Sequence, residues 1–325
     1  MINSSNDYFC AVIKQPYIYL APLEGYTEID FRNIFARHFG GVDAAIAPFV
    51  SLMHHDLEDK RRSWDIPHAD VQGLKTIPQF MGRNVKDFKH LAKWIKFKGY
   101  EGLNWNLGCP SKRVVRRGRG SGLLKYPDEI KSFLDEIFKD IEVEFSIKTR
   151  LGLESPEESY QLFEIYNQYP LKEIILHPRL GIQMYYGEVM LERFGEILHL
   201  SKNEIVYNGD INTVEEYQKI MEKFPSISRI MIGRGLMKDP FLAERIKGYS
   251  PSVLLNEKER FLKFHEDLYR VFEEKFRDKH ELLGKLKDYW RYFSFYFNDR
   301  NEVFKYLSRS LDLDEFQFRL HEIIT

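Results

Sequence analysis

The chain has 325 residues, 43% hydrophobic and 30% charged, the make-up of an ordinary globular protein with room for one large domain and a smaller one. A formal net charge of −1 gives no bulk attraction to polyanions, so any nucleic-acid site has to be a local patch. Two cysteines, Cys10 and Cys109, are too few for a disulfide framework; with no apolar run of membrane-spanning length and no leader in MINSSNDYFC, we expect a cytoplasmic protein.

Short apolar runs at 17–21, 44–48, 77–81, 103–106, 142–148, 173–177, 205–208 and 229–232 read as strands. Between most of them, apolar residues recur at helical spacing, at 31–39, 88–97, 130–137, 160–166 and 214–221. Eight strands alternating with helices predict an α/β fold of the (β/α)8 barrel type, with an open doubly wound sheet as the competitor. The polar stretch 51–74 reads as an insertion, mostly loop with a short helical piece. From about residue 251 the strands stop. Phe261, Phe264, Leu268, Phe272 and Phe276 form one helical stripe, Leu286, Trp290, Phe293 and Phe297 a second, and Phe316, Leu320 and Ile324 a third. We therefore expect a barrel domain over 1–248 and a small all-α bundle over 251–325. The aromatic segment 289–297 reads as bundle core rather than a base-stacking surface.

Barrel enzymes place their sites at the carboxyl ends of the strands, and here those ends are polar. The first strand is followed by Pro22, Leu23 and Glu24, and the third carries Gln79. Period-two alternation on the fifth turns Val143, Phe145 and Ile147 toward the helices and Glu144, Ser146 and Lys148 inward, with Lys148 closing the strand. The same parity turns Ile175, His177 and Arg179 inward on the sixth. The seventh and eighth strands end in Asn208-Gly209-Asp210 and Gly233-Arg234-Gly235. Glycine-rich turns expose backbone N–H groups, and barrels commonly hold phosphate at these two loops, although tight turns alone would also use glycine. Lys148 either closes a salt bridge with Glu24 or Asp210 or meets an anionic ligand; His177 is either a core histidine or part of the site.

The fourth strand runs into LNWNLGCPSKRVVRRGRGSGLL. It carries Asn106, then Cys109 between Gly108 and Pro110. Of the eight positions after Ser111, five are basic: Lys112, Arg113, Arg116, Arg117 and Arg119. Gly118, Gly120 and Gly122 leave the backbone free to bend. Cys109 reads either as a small buried apolar group or as an accessible thiol beside a cationic loop, and that loop either as a solvated face or as an RNA or phosphate contact. No His/Cys/Asp cluster has metal-ligand spacing, so no metal is expected.

Taken in order, APLEG at 21–25, QFMG at 79–82, NLGCPS at 106–111 with GSGLL at 120–124, KTRLG at 148–152, NGDI at 208–211 and GRG at 233–235 resemble the tRNA-dihydrouridine synthases, and a helical segment follows the barrel as in that family. The resemblance implies an FMN-dependent oxidoreductase that reduces the C5=C6 bond of particular tRNA uridines, with NADPH as reductant. By that resemblance Pro22, Leu23 and Glu24 line the flavin, Gln79 and Lys148 contact its ring, and His177 lies along it. Asn208, Gly209, Asp210, Gly233 and Arg234 hold the FMN phosphate. Asn106 places the uracil, and Cys109 is the acid that protonates C5 after hydride from flavin N5 reaches C6. Arg113, Arg116, Arg117, Arg119 and Arg179 are expected to contact the tRNA, with no metal, membrane or obligate protein partner. Two departures stand out: His177-Pro178-Arg179-Leu180 replaces a His-Gly-Arg-Thr segment, and Leu23 stands where methionine is usual. The competing readings are a flavin barrel acting on a free pyrimidine, similar to dihydroorotate dehydrogenases, and a tRNA-binding chaperone with secondary flavin chemistry. The arginine-rich loop and helical appendage disfavour the first, and the pairing of Cys109 with Lys148 the second.

Overall fold

A computed structural model of the chain describes residues 15–50, 65–71, 73–249, 256–297 and 299–324. Nine parallel strands build one sheet: β1 (Tyr17–Leu20), β2 (Ala44–Ile46), β3 (Thr76–Ile77), β4 (Gln79–Phe80), β5 (Gly102–Leu107), β6 (Glu144–Gly152), β7 (Ile174–Leu180), β8 (Ile205–Tyr207) and β9 (Arg229–Ile232). Their order is β3-β2-β1-β9-β8-β7-β6-β5-β4. The two end strands are consecutive in the chain and separated only by Pro78. The third expected strand is therefore split: Thr76–Ile77 pairs with β2, and Gln79–Phe80 pairs with β5. Pro78 has no N–H to give, but its carbonyl accepts from Asn104 N at 2.9 Å, so the sheet closes into a barrel across the break.

Side-chain parity sorts the core into two shells. Phe145, Ile147, Ile174 and Leu176 join the large apolar layer under the helices. Tyr19, Ile46, Ile175, Val206 and Met231 pack inside the barrel. The helices of the barrel layer are α1 (Ile29–His38), α2 (Val85–Phe97), α3 (Lys112–Val115), α4 (Pro127–Ile137), α5 (Glu158–Tyr166), α6 (Leu191–Leu200), α7 (Val214–Lys223), α8 (Arg234–Lys238) and α9 (Leu242–Ile246). Several begin earlier than their apolar periodicity. Asn84 caps α2 by accepting from Asp87 N at 3.1 Å, and Pro127 opens α4, while α7, capped by Thr213 through Glu216 N at 3.1 Å, starts at Val214 as expected. These polar first turns carry no apolar signal. Most of the polar stretch 51–74 lies outside the described residues; Asp65, which is described, forms a buried ion pair with Arg32 at 3.0 Å.

After the barrel come α10 (Glu257–Lys275), α11 (Lys279–Phe293), α12 (Arg300–Ser308) and α13 (Leu313–Ile324). The three expected aromatic stripes are buried over Phe261, Phe264, Leu268 and Phe272, over Leu286, Trp290 and Phe293, and over Phe316 and Leu320, while their last members Phe276, Phe297 and Ile324 are only partly buried. The helices dock on α1, where Phe264 packs against the rings of Phe31, Phe35 and Phe39 at 5.8, 6.4 and 4.9 Å. Arg260 clasps the same junction, donating to His38 O at 2.7 Å and to the buried Glu244. Apolar packing thus continues from the barrel into the helical segment. Residues 250–255, around the expected boundary, lie outside the described residues.

Candidate active site

Cys109 follows the end of β5 and is fixed from both sides. Asn106 Oδ1 accepts from the amides of Gly108 and Cys109 at 3.1 and 2.9 Å. The Asn106 amide nitrogen donates to Gln79 Oε1 at 2.8 Å, Gln79 donates to Asn104 Oδ1 at 2.7 Å, and Asn104 donates to Ser146 Oγ at 2.8 Å. This chain of buried amides crosses three strands and orients Asn106 from below, leaving one of its two amide hydrogens unspent. From above, Ser121 N and Oγ both donate to Cys109 O, at 3.0 and 3.1 Å. That fold-back requires Gly120, whose φ is +55° and where a Cβ would stand 2.7 Å from Cys109 O. Of the glycines expected to loosen the basic loop, Gly120 instead clamps it onto the cysteine and Gly122 packs against Val115, and part of the loop is helix α3. Burial pushes the Cys109 thiol above its ordinary pKa, against a hydrogen bond from Ser111 N and the charges of Arg150 and Lys148. At neutral pH it carries its proton.

Lys148 is not the last residue of its strand. β6 continues through Arg150 to Gly152, so Lys148 and Arg150 share the inward face. Lys148 Nζ donates to Asn208 Oδ1 at 2.7 Å, while neither Glu24 nor Asp210 pairs with it. Burial, and then Arg150, pulls its pKa down to about 7. Arg150 is 1% exposed; it donates through Nε to Gly108 O and through Nη1 to Leu180 O, both at 2.8 Å. The Tyr185 ring lies 5.5 Å from both the Arg150 and Arg234 guanidinium carbons.

Opposite the cysteine lie the turns after β8 and β9. Asn208 donates to Met231 O at 2.9 Å, tying the two strands together beside Lys148. Gly235 permits their loops to meet, since a Cβ there would stand 2.1 Å from Ile211 O. Arg179 is 2% exposed, ion-paired with Asp210, and donates to Gly187 O. Its Nη1 also lies 3.0 Å from His177 Nε2. A guanidinium can only donate, so His177 Nε2 is the acceptor and its proton sits on Nδ1. Burial and the surrounding Arg150, Lys148, Arg179 and Arg234 hold His177 well below the ordinary histidine pKa, hence neutral. Burial raises Asp210, but the Arg179 and Arg234 contacts outweigh it and keep the carboxylate ionised.

These groups surround a cavity of about 660 Å3, a size that suits a cofactor-sized ligand. Twelve of the expected site residues line it: Pro22, Leu23, Glu24, Asn106, Cys109, Lys148, His177, Asn208, Gly209, Asp210, Gly233 and Arg234. Six do not. Gln79 sits one layer below, with its side chain committed to Asn104 and Asn106. Arg179 is a buried brace for Asp210 and His177 rather than a surface contact. Arg113, Arg116 and Arg117 are exposed outside the cavity, and Arg119 lines a separate hollow with Arg83 and Glu129. Arg113 lies close enough to Glu24 to offset part of the pKa rise that burial imposes on that carboxyl. The cavity also holds residues the sequence reading did not single out: Arg150, Met184, Tyr185, Asn212 and Tyr292. Arg150 was legible, two positions past Lys148 on one strand face. Tyr292 comes from α11, off its apolar stripe, and reaches the cavity because Tyr26 packs edge-on against it at 5.3 Å.

A closed parallel barrel whose strand ends combine a protonated thiol, a lysine with no carboxylate partner and two glycine turns around one cavity defines a barrel enzyme. The family model described as Dihydrouridine synthase (Dus) matches residues 19–324, and the chain belongs to that family. It is 26% identical over 226 residues to tRNA-dihydrouridine synthase B of Pasteurella multocida (strain Pm70), covering 69% of this chain and 67% of that one. To tRNA-dihydrouridine synthase B of Escherichia coli (strain K12) it is 24% identical over 277 residues, covering 83% and 82%. Among solved structures, the old yellow enzyme homologue from Zymomonas mobilis shares the fold with a TM-score of 0.54 at 12% identity, over 72% of this chain and 89% of that one. Among the described residues no cluster of His, Cys, Asp or Glu is arranged to hold a metal, and no helix is long and apolar enough to cross a membrane.

Proposed function

We propose that this protein reduces uridine in tRNA to dihydrouridine, using bound FMN and NADPH as reductant. Family membership supports the reaction, and the observation that carries the cofactor is Lys148: a cation at the cavity wall with no carboxylate partner, bonded to Asn208 at the head of one of the two glycine turns that line the same cavity. A ring with an electronegative edge satisfies the lysine, while Gly209, Gly233 and Arg234 are suited to a phosphate at the far end. His177, neutral and fixed by Arg179, presents a flat wall beside them. A flavin held this way supplies the hydride.

The remaining chemistry belongs to this chain. Cys109 holds its proton at neutral pH and gives it up from Sγ to a carbon developing negative charge, and the nearby charges of Arg150 and Lys148 stabilise the thiolate left behind. The unspent amide hydrogen of Asn106 and the outer nitrogen of Arg150 are donors beside Cys109, positioned to bind carbonyl oxygens of a uracil. The base has to leave the RNA fold to reach them, with Tyr185 and Tyr292 as aromatic surfaces at the mouth. The exposed Arg113, Arg116 and Arg117 are suited to phosphates of the tRNA body. The test is direct: purified protein, denatured, should release FMN, and a colourless preparation that cannot be reconstituted with FMN would remove the cofactor and the reaction together.

A further inference from the structure

A second cationic surface begins where the cavity ends. Lys238, the last residue of α8, donates to the side chain of Asn212 at 3.0 Å, and Asn212 lines the cavity. On its other side Lys238 lies 4.6 Å from the centre of the Phe295 ring, and Arg300, at the start of α12, covers the same ring at 4.3 Å. Two cations thus share one aromatic ring at the junction of barrel and helical segment. Among the described residues neither forms an ion pair. Of the carboxylates whose charges reach Lys238, Asp210 pairs with Arg179 and Arg234, and Glu216 accepts from Asn212 through the backbone amide at 2.5 Å and the side chain at 3.0 Å. Burial lowers the Lys238 pKa, and the charges of Arg234 and Arg300 lower it further against the opposing charges of Asp210 and Glu216. The ring is 37% exposed and Arg300 is exposed, so the cluster is open to a ligand.

We propose that Lys238 and Arg300, spaced by Phe295, form a clamp for the phosphodiester backbone of the RNA strand that delivers the uridine into the cavity. This rests on the tRNA reading above and names the surface next to the cavity that holds the strand. The clamp ties barrel to helical segment, so it senses their relative placement, and it lies beside the phosphate turns without being part of them. A phosphate of the flavin or of NADPH offers the same chemistry, and the experiment separates these sources.

The flavin-loaded protein is titrated with unmodified tRNA across a salt series, as wild type, as Lys238→Gln with Arg300→Gln, and as Lys238→Arg with Arg300→Lys. Losing two phosphate contacts should lower the magnitude of the slope of log K against log salt by about 1.5. The charge-preserving pair should keep the wild-type slope. Flavin content and the KM for NADPH, measured without RNA, should not change. Because Lys238 is half-buried and Arg300 is exposed, Arg300→Gln alone is the check against misfolding, with about half the change in slope. A slope unaltered by neutralisation overturns the clamp and leaves the tRNA reading standing. Lost flavin or a raised KM for NADPH assigns the cations to a cofactor phosphate and also overturns it. Wild-type protein that fails to bind tRNA overturns the reading beneath both.

Discussion

Lys148→Met should make the flavin-free protein more stable at neutral pH while removing its grip on the cofactor. The lysine titrates at 10.5 in an unfolded chain and near 7 in the barrel, because burial and Arg150 disfavour its charge. With the folded pKa below the unfolded one, the unfolded chain binds the extra proton between these values. The stability of the wild type therefore rises with pH from 7 to 10.5 and levels off above. At pH 7 the full shift amounts to about 4 kcal/mol of destabilisation at ~1.36 kcal/mol per unit. Water in an open cavity screens part of it, and methionine forfeits the hydrogen bond to Asn208, worth about 1 kcal/mol. We expect a net gain of about 1–3 kcal/mol at pH 7, shrinking by up to about 2 kcal/mol by pH 9. Urea unfolding of both proteins at pH 7, 8 and 9 measures this difference. A variant less stable than wild type by the same amount at every pH would refute the buried, unpaired cation, and with it the reason for placing an electronegative ring there.

Other expected outcomes follow the same logic. Cys109→Ala should retain FMN and tRNA affinity but lose most dihydrouridine formation; unchanged single-turnover product would remove the thiol from the chemistry. Gly120→Ala places a side chain at φ +55° against Cys109 O. It should cost about 2 kcal/mol or more and misplace the thiol while FMN stays bound, which thermal melts alongside flavin content would show. Neutralising Arg116 and Arg117 should weaken tRNA binding and reduce its salt dependence; an unchanged slope would return them to solvated surface. His265 accepts from Trp290 Nε1 at 3.0 Å, and burial lowers its pKa from 6.5 to about 4. The unfolded chain takes the proton first, so stability should fall by up to about 3 kcal/mol as pH drops from 6.5 to 4, and His265→Gln should flatten that fall.

Much of the barrel was legible because period-two parity is a local property: Ile175 faces in and Ile174 out, as alternation dictates. The turns 208–210 and 233–235 also meet at one cavity, as their position after consecutive strands implies. What was not legible depended on tertiary contact. Pro178 did not end β7, because the β6–β7 register shifts beside it, the N–H that proline lacks is not called on, and its carbonyl still accepts from Met190 N at 2.7 Å. Arg179 looked like a free cation, but its partner Asp210 lies 31 residues away on another strand end. Gly118, Gly120 and Gly122 suggested freedom, whereas at least Gly120 and Gly122 mark close approach: a Cβ on Gly122 would stand 2.6 Å from Val115 O. Tyr292 joins the cavity only through the docking of α11 on the β1–α1 loop, where Lys285 donates to Gly25 O at 2.5 Å and Tyr289 to Tyr26 O. Sequence separation hides such encounters.

The central claim is that the cavity joining Cys109 to Lys148 reduces uridine in tRNA. The most direct measurement is a single turnover of the FMN-loaded, prereduced protein with unmodified tRNA, followed by mass analysis of the nucleosides. We expect one or more uridines to gain two hydrogens, with the gain strongly slowed in Cys109→Ala. Reoxidation of the cofactor with every uridine unchanged would contradict the account.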